Sequence, residues 1–185
     1  MRQSWLAGVL IVLQAPTLLP VGTFRVDPGD SRVEFVMRDN RGGFTGATDR
    51  VEGTVTVTQP DAETFAAAVD ARVDARTLHT GNGIRDGQMR RDFLRVDEHP
   101  YLTFRGSVTS RERPTAGPMR VVLRGALTIR GTTRDVEIPL SVTALADEYR
   151  AAGELTVRLS AFGIPTPRFL IFVAEDPRRC GCVSA

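Results

Sequence analysis

The chain has 185 residues, with 24 Lys and Arg against 22 Asp and Glu and 42% hydrophobic residues. That length suits one domain with a sizeable core, and that composition excludes a disordered chain or a low-complexity array. The charges are interspersed and nearly balanced at +2, so no basic stripe offers itself to nucleic acid.

The first segment reads as an export signal. Arg2 supplies a minimal positive start, and the apolar run Trp5–Leu13 is broken by Gln14, Pro16 and Pro20. The run is too short to span a bilayer and suits a secretory signal over residues 1–22, with periplasmic or secreted localisation as the consequence. Ala15 and Gly22 are both small enough to precede the cut.

From Phe24 onward, alternation dominates. Val33, Phe35 and Met37 share one parity and Glu34 and Arg38 the other; Val51, Val55 and Val57 repeat the pattern against Glu52, Thr54 and Thr56. Period two with one apolar face predicts half-buried antiparallel strands. Gly42-Gly43 marks a corner and Gln59-Pro60-Asp61 a turn.

Residues 64–78 carry helix-favouring alanines, and Phe65, Val69 and Val73 fall at helical spacing. A helix would nevertheless set Arg76 and Arg72 in the apolar stripe. A strand puts Asp70, Arg72, Asp74 and Arg76 on one face and Phe65, Val69 and Val73 on the other. The charges predict a strand.

Gly81, Asn82 and Gly83 then interrupt the β pattern, and Ile84, Met89, Phe93 and Leu94 give an approximate helical face with Asp86 and Arg90 as an i, i+4 pair. Alternation resumes at Leu102, Phe104 and Val108. It continues through Val121, Leu123, Leu127 and Ile129, then Ile138, Leu140 and Val142, and finally Leu155, Val157 and Leu159. Many short strands, one inserted helix and a hairpin turn at Arg130–Thr133 predict an antiparallel barrel or sandwich. The ending, Cys180-Gly181-Cys182 and its neighbours, reads as a short C-terminal tail over 178–185. Two thiols without a second ligand pair or a nearby His make a weak metal site, and a bridge across one residue would be strained.

Five motifs then occur in order: Phe24-Arg25-Val26-Asp27 with Ser31–Phe35; Leu78-His79-Thr80-Gly81-Asn82 leading into Arg85-Asp86; His99-Pro100-Tyr101-Leu102-Thr103-Phe104; Leu127-Thr128-Ile129-Arg130-Gly131; and Ala161-Phe162-Gly163-Ile164. In combination they resemble the YceI-like family, lipocalin-like envelope proteins associated with polyisoprenoid ligands, over roughly residues 24–176 of a domain spanning 23–177. The resemblance implies an all-β, antiparallel eight-stranded lipocalin-like barrel with a short inserted helix and an elongated apolar lumen. It also implies that Arg85 and Asp86 fix the helix against the barrel. One departure is the ending after Phe169–Ala174, where the family continues through a long closing strand and this chain offers a short, polar, Gly-interrupted one.

Within that fold, parity assigns candidate ligand-binding positions: Phe35, Met37, Val55, Val69, Val73, Leu102 and Phe104 from the first half, and Leu123, Leu127, Ile138, Val142 and Val157 from the second. Phe169 and Phe172 join them as an apolar patch that could touch membrane during loading. The expectation is an exported, non-enzymatic carrier of a long-chain isoprenoid lipid or quinone, for transport, storage or protection in the cell envelope, with no metal or other cofactor. His79 and His99 stand beside turns without a ligand cluster, and there is no nucleophile elbow or phosphate loop. The alternatives are an accessory protein acting on isoprenoid quinones and a structural barrel with a filled core whose open edge pairs with another chain, including a homodimer.

Overall fold

Alternation writes one large sheet. The computed structural model describes residues 21–37, 43–59, 61, 64–111, 118–145 and 148–165 in full, and 168–169, 172–173 and 179–184 as strand backbone. The first half holds β1 (Gly22–Arg25), β2 (Arg32–Met37), β3 (Phe44–Thr48), β4 (Val51–Thr58) and β5 (Phe65–Asp74). A 3-10 turn (Ala75–Thr77) and α1 (Gly83–Gln88) follow, and a π-helical turn (Met89–Leu94) continues α1. Next come β6 (Tyr101–Ser110), β7 (Met119–Ile129), β8 (Thr132–Ala144) and β9 (Tyr149–Gly153), then a 3-10 turn at Leu159–Phe162. The short strands β10 (Arg168–Phe169), β11 (Phe172–Val173) and β12 (Arg179–Ser184) end the chain.

β1-β4-β5-β6-β7-β8-β9 form a seven-stranded sheet, antiparallel throughout, and β12-β2-β3 form a second sheet. The large sheet curls into a half-barrel, and the small one adjoins it through β12 beside β9. The architecture is the all-β, lipocalin-like one expected, with its strands divided between two sheets instead of forming one even ring.

β5 is a strand, as the charges require. Its registers set Val69 opposite Val55, and Asp70 opposite Arg105 of β6. On the outer face, directly opposed residues form a ladder of ion pairs: Arg72–Glu52 at 2.6 Å, Arg105–Asp70 at 2.9 Å and Arg124–Glu137 at 2.8 Å. Each is exposed and worth a few tenths of a kcal/mol to about 1 kcal/mol, so the ladder fixes register more than it adds stability.

The curl depends on glycines on the inner face. Gly106 of β6 stands opposite Gly125 of β7. A Cβ on Gly125 would lie 2.2 Å from the Arg105 carbonyl oxygen, and one on Gly106 would strike the Phe104 ring at 2.6 Å. The strands bend where no side chain holds them apart, and Phe104 folds over the gap. The β7–β8 hairpin turns at Arg130-Gly131, both at positive φ (50° and 71°), the type I′ geometry whose twist matches its strands.

The helix is seated by Asp86 and Arg85. Asn82 caps α1, its side-chain oxygen accepting from the N–H groups of Ile84 and Arg85, both at 3.1 Å. Asp86 is buried and accepts from the Thr80 N–H (2.8 Å) and hydroxyl (2.7 Å). Arg85 stacks on the Phe44 ring at 4.1 Å, tying the helix to β3. The i, i+4 pairing expected of Asp86 and Arg90 gives way to these bonds, because Arg90 turns to the Leu78 carbonyl at 2.7 Å. The segment ends with Arg95 in the left-handed region (φ 52°) and the Val96 N–H bonded to the Arg90 carbonyl.

Three expectations are corrected. The strand placed at Leu155–Leu159 lies earlier, at Tyr149–Gly153, and residues 159–162 turn as a 3-10 helix whose Phe162 is buried. The run from Phe169 is no single closing strand, since β10 and β11 pair with each other. The tail over 178–185 contains β12, which pairs antiparallel with β2 across a register irregularity between Cys180 and Val183 and lies beside β9. A short, Gly-interrupted strand thus occupies the seam between the two sheets. The expected signal lies outside the described residues except for Val21 and Gly22. Because β1 begins at Gly22, a cut after Ala15 keeps its pairing with Val57 and a cut after Gly22 removes it.

Candidate functional site

Parity tells which face a side chain takes, and burial tells how deep it lies. On the inner face the two give a gradient along the large sheet. At one end Val57, Phe65, Ala67, Val108, Met119, Val121, Leu123 and Val142 are buried together as a packed core. Beyond them Val55, Val69, Phe104, Ile138 and Leu140 keep the same inward parity but are only half-buried. An ordered apolar side chain that points inward and stays half accessible lines a concavity instead of filling a core.

The far end is closed by the helix and the last described loop. Ile129, Val157, Phe162 and Ile164 form a second cluster, with Leu102, Leu127, Phe93 and Leu94 against it. Ala75, Leu78 and Val96 form a third, joined by Phe35, Met89, Leu94 and Leu102. Leu94 and Leu102 belong to the margins of both, so the helical segment covers this end as one lid-like layer. The hairpin turn is held to that layer by Arg130, whose Nη1 donates to the Gly163 carbonyl at 2.6 Å.

The fourteen candidate positions fall apart on this map. Val55, Val69, Phe104 and Ile138 share the half-buried middle, and Val73, Leu102 and Leu127 stand toward the helix-covered end, half-buried as well. These seven keep part of each side chain accessible on the inner face. Met37, Leu123, Val142 and Val157 are 5–8% exposed and belong to packing. Phe35 lies flat on Gly46, where a Cβ would meet its ring at 2.3 Å, and packs edge-on to Phe44; it seals β2 to β3. Phe169 and Phe172 face each other in the β10–β11 ladder, and their side chains lie outside the described residues.

Sequence reasoning missed Leu140 and Val136, which continue the half-buried row along β8. Their parity with Ile138 was the available signal. It also missed Tyr149, whose ring stacks edge-on to Phe24 at 5.1 Å beside the packed end. Burial pushes its phenol above the usual tyrosine range.

Among the described residues, no group of three or more His, Cys, Asp or Glu converges on a point that could hold a metal ion, and no described helix is long and apolar enough to cross a membrane.

Comparison with known proteins agrees with this architecture. No curated protein matches the chain. Among solved structures, it is similar to Burkholderia cenocepacia BcnA, with a TM-score of 0.70 and 21% identity over 86% of this chain and 98% of that one. It is also similar to a polyisoprenoid binding domain from Saccharophagus degradans implicated in plant cell wall breakdown, with a TM-score of 0.64 and 15% identity over 89% and 97% of the two chains. At those identities the likeness is one of fold. The YceI-like domain model matches residues 24–176, and the chain belongs to the YceI-like domain family.

Proposed function

We propose that this protein binds a long-chain isoprenoid lipid or isoprenoid quinone along the concave face of its barrel and carries or stores it in the cell envelope after export. The observation that carries this reading is the half-buried apolar row, Val55, Val69, Phe104, Leu127, Ile138 and Leu140, set between a packed end and a helix-covered end. Burial of a hydrocarbon tail there contributes about 0.8 kcal/mol per methylene without catalytic groups. A row of aliphatic side chains reads a tail by its length and bulk, so selectivity for chain length follows from the distance between the two closed ends. The membership in the YceI-like family and the fold shared with a polyisoprenoid binding domain support the class of ligand.

The protein acts by holding its ligand, not by converting it. Transient contact with a membrane would load the chain, with the apolar run from Phe169 to Ala174 as the candidate contact. Replacing Phe169 and Phe172 by Ser tests that contact. Lipid transfer from vesicles is expected to slow at unchanged melting temperature, and an unfolded double variant would assign the pair to packing instead. The carrier reading itself is tested by loading the purified protein with an isoprenoid quinone or alcohol in vitro. Saturable, stoichiometric uptake is expected, and its failure would overturn the reading.

A further inference from the structure

One arginine departs from the division between the two faces. The outer-face arginines Arg72, Arg105 and Arg124 stand opposite Glu52, Asp70 and Glu137 and bond to them. Arg134 of β8 has the parity of Val136, Ile138 and Leu140. It stands opposite Leu127 of β7, which stands opposite Phe104 of β6, which stands opposite Ala71 of β5. The residues flanking Arg134 confirm its side: Thr133 bonds Thr128 on the outer face at 2.8 Å, and Asp135 stands opposite Ala126, the outward neighbour of Leu127. The Arg134 Nη1 donates to the main-chain carbonyl of Thr133 at 2.9 Å. Among the described residues no carboxylate pairs with it, and the side chain is exposed.

A guanidinium in an apolar row is costly unless it reaches water or an anion. Arg134 reaches water at the margin of the concavity, beside Leu127 and the helix-covered end. An arginine there offers a planar fork of donors matched to the oxygens of a phosphate. The position suits such a head, because a phosphate at an exposed margin keeps water on its far side and avoids the desolvation cost of a buried ion. From Arg134 the strand runs eight residues to Val142 at the packed end, about 27 Å at the usual rise. Val136, Ile138 and Leu140 line the way.

We propose that Arg134 is the head-group contact of this barrel and that its preferred ligand is an isoprenoid chain ending in a phosphate, in place of a neutral alcohol or quinone. The proposal rests on the carrier reading given above and narrows its ligand class.

The test compares a polyprenyl phosphate with the polyprenol of the same chain length, each binding the delipidated full chain at low ionic strength, by displacement of a fluorescent lipid and by native mass spectrometry. The wild type is expected to prefer the phosphate about tenfold, with the preference shrinking as salt is added. Arg134→Gln is expected to remove the preference by weakening the phosphate alone, and Arg134→Lys to keep part of it. Unchanged binding of the alcohol shows that the variants remain folded. Equal binding of the two lipids by the wild type, or a preference that survives in Arg134→Gln, would overturn the proposal and leave the carrier reading standing. Binding of neither lipid would overturn both.

Discussion

Leu123 and Leu127 lie on β7, on the same inner face, two inward positions apart, and the same substitution at each separates core from lumen. Leu123 is 5% exposed and packed among Val57, Val108, Val121 and Val142. Leu127 is half-buried at the margin of the second cluster. Leu123→Ala removes a buried isopropyl group from the packed end, and should cost about 3–4 kcal/mol of folding stability. Leu127→Ala should cost about 2 kcal/mol, because part of that side chain is already in water in the free protein. A bound tail would cover the exposed part. Its loss then weakens ligand by about 1 kcal/mol, roughly fivefold in Kd. Denaturant titration with an unchanged slope gives the first quantity, and lipid displacement at a temperature where both variants are folded gives the second. If Leu123→Ala weakens lipid binding as much as Leu127→Ala does, the division of the inner face into packed end and open middle is wrong.

Asp86→Ala leaves the half-buried Thr80 N–H and hydroxyl without their charged acceptor; a loss of about 2–3 kcal/mol is expected by chemical denaturation, and a loss under 1 kcal/mol would remove its anchoring role. Gly125→Val should prevent folding or shift the melting transition far down, since any Cβ there meets the facing backbone at 2.2 Å; a native-like melting curve would show that the curl does not depend on it. The Arg76 guanidinium, 2.7 Å from Asp74, holds that carboxyl below the usual carboxylate range. A depressed folded value means this contribution is present above the unfolded value near 3.9 and is lost as pH falls below it, so Asp74→Asn should flatten the acid limb of a stability profile, modestly and less at high salt. For Tyr149 the sign is opposite. Its raised phenol means stability declines as pH climbs past about 10, where the unfolded chain ionises first, and Tyr149→Phe should remove that alkaline decline.

The strands were legible wherever charges and aliphatics shared a run. The alternation from Val51 to Thr58 maps onto burial residue for residue, and the acid–base alternation from Asp70 to Asp74 outweighed four alanines that favour helix. Phe44–Thr48 escaped because a Phe-Thr-Gly-Ala-Thr run has no clear apolar face, its burial being set by the chain segment across Ala47 and His79. Leu155, Val157 and Leu159 kept the alternation of a strand, but the ladder along β8 ends with Gly153, and the chain turns over to bury Phe162 and Ile164. The site was legible as a face and not as a depth. Period two cannot distinguish Leu123 from Leu127, because what differs is the number of elements stacked above each. Alternation gives Arg134 the parity of Ile138, and the register of three strands adds that this arginine shares a row with Leu127 and Phe104.

The central claim is that this barrel holds an isoprenoid chain in its concavity. The most direct measurement is lipid mass spectrometry of an organic extract of the protein purified from its native cells, against a mock purification. The account predicts one isoprenoid lipid at close to one molecule per chain, absent from the control. An extract without isoprenoid, from a protein that also takes up no isoprenoid lipid in vitro, would contradict it.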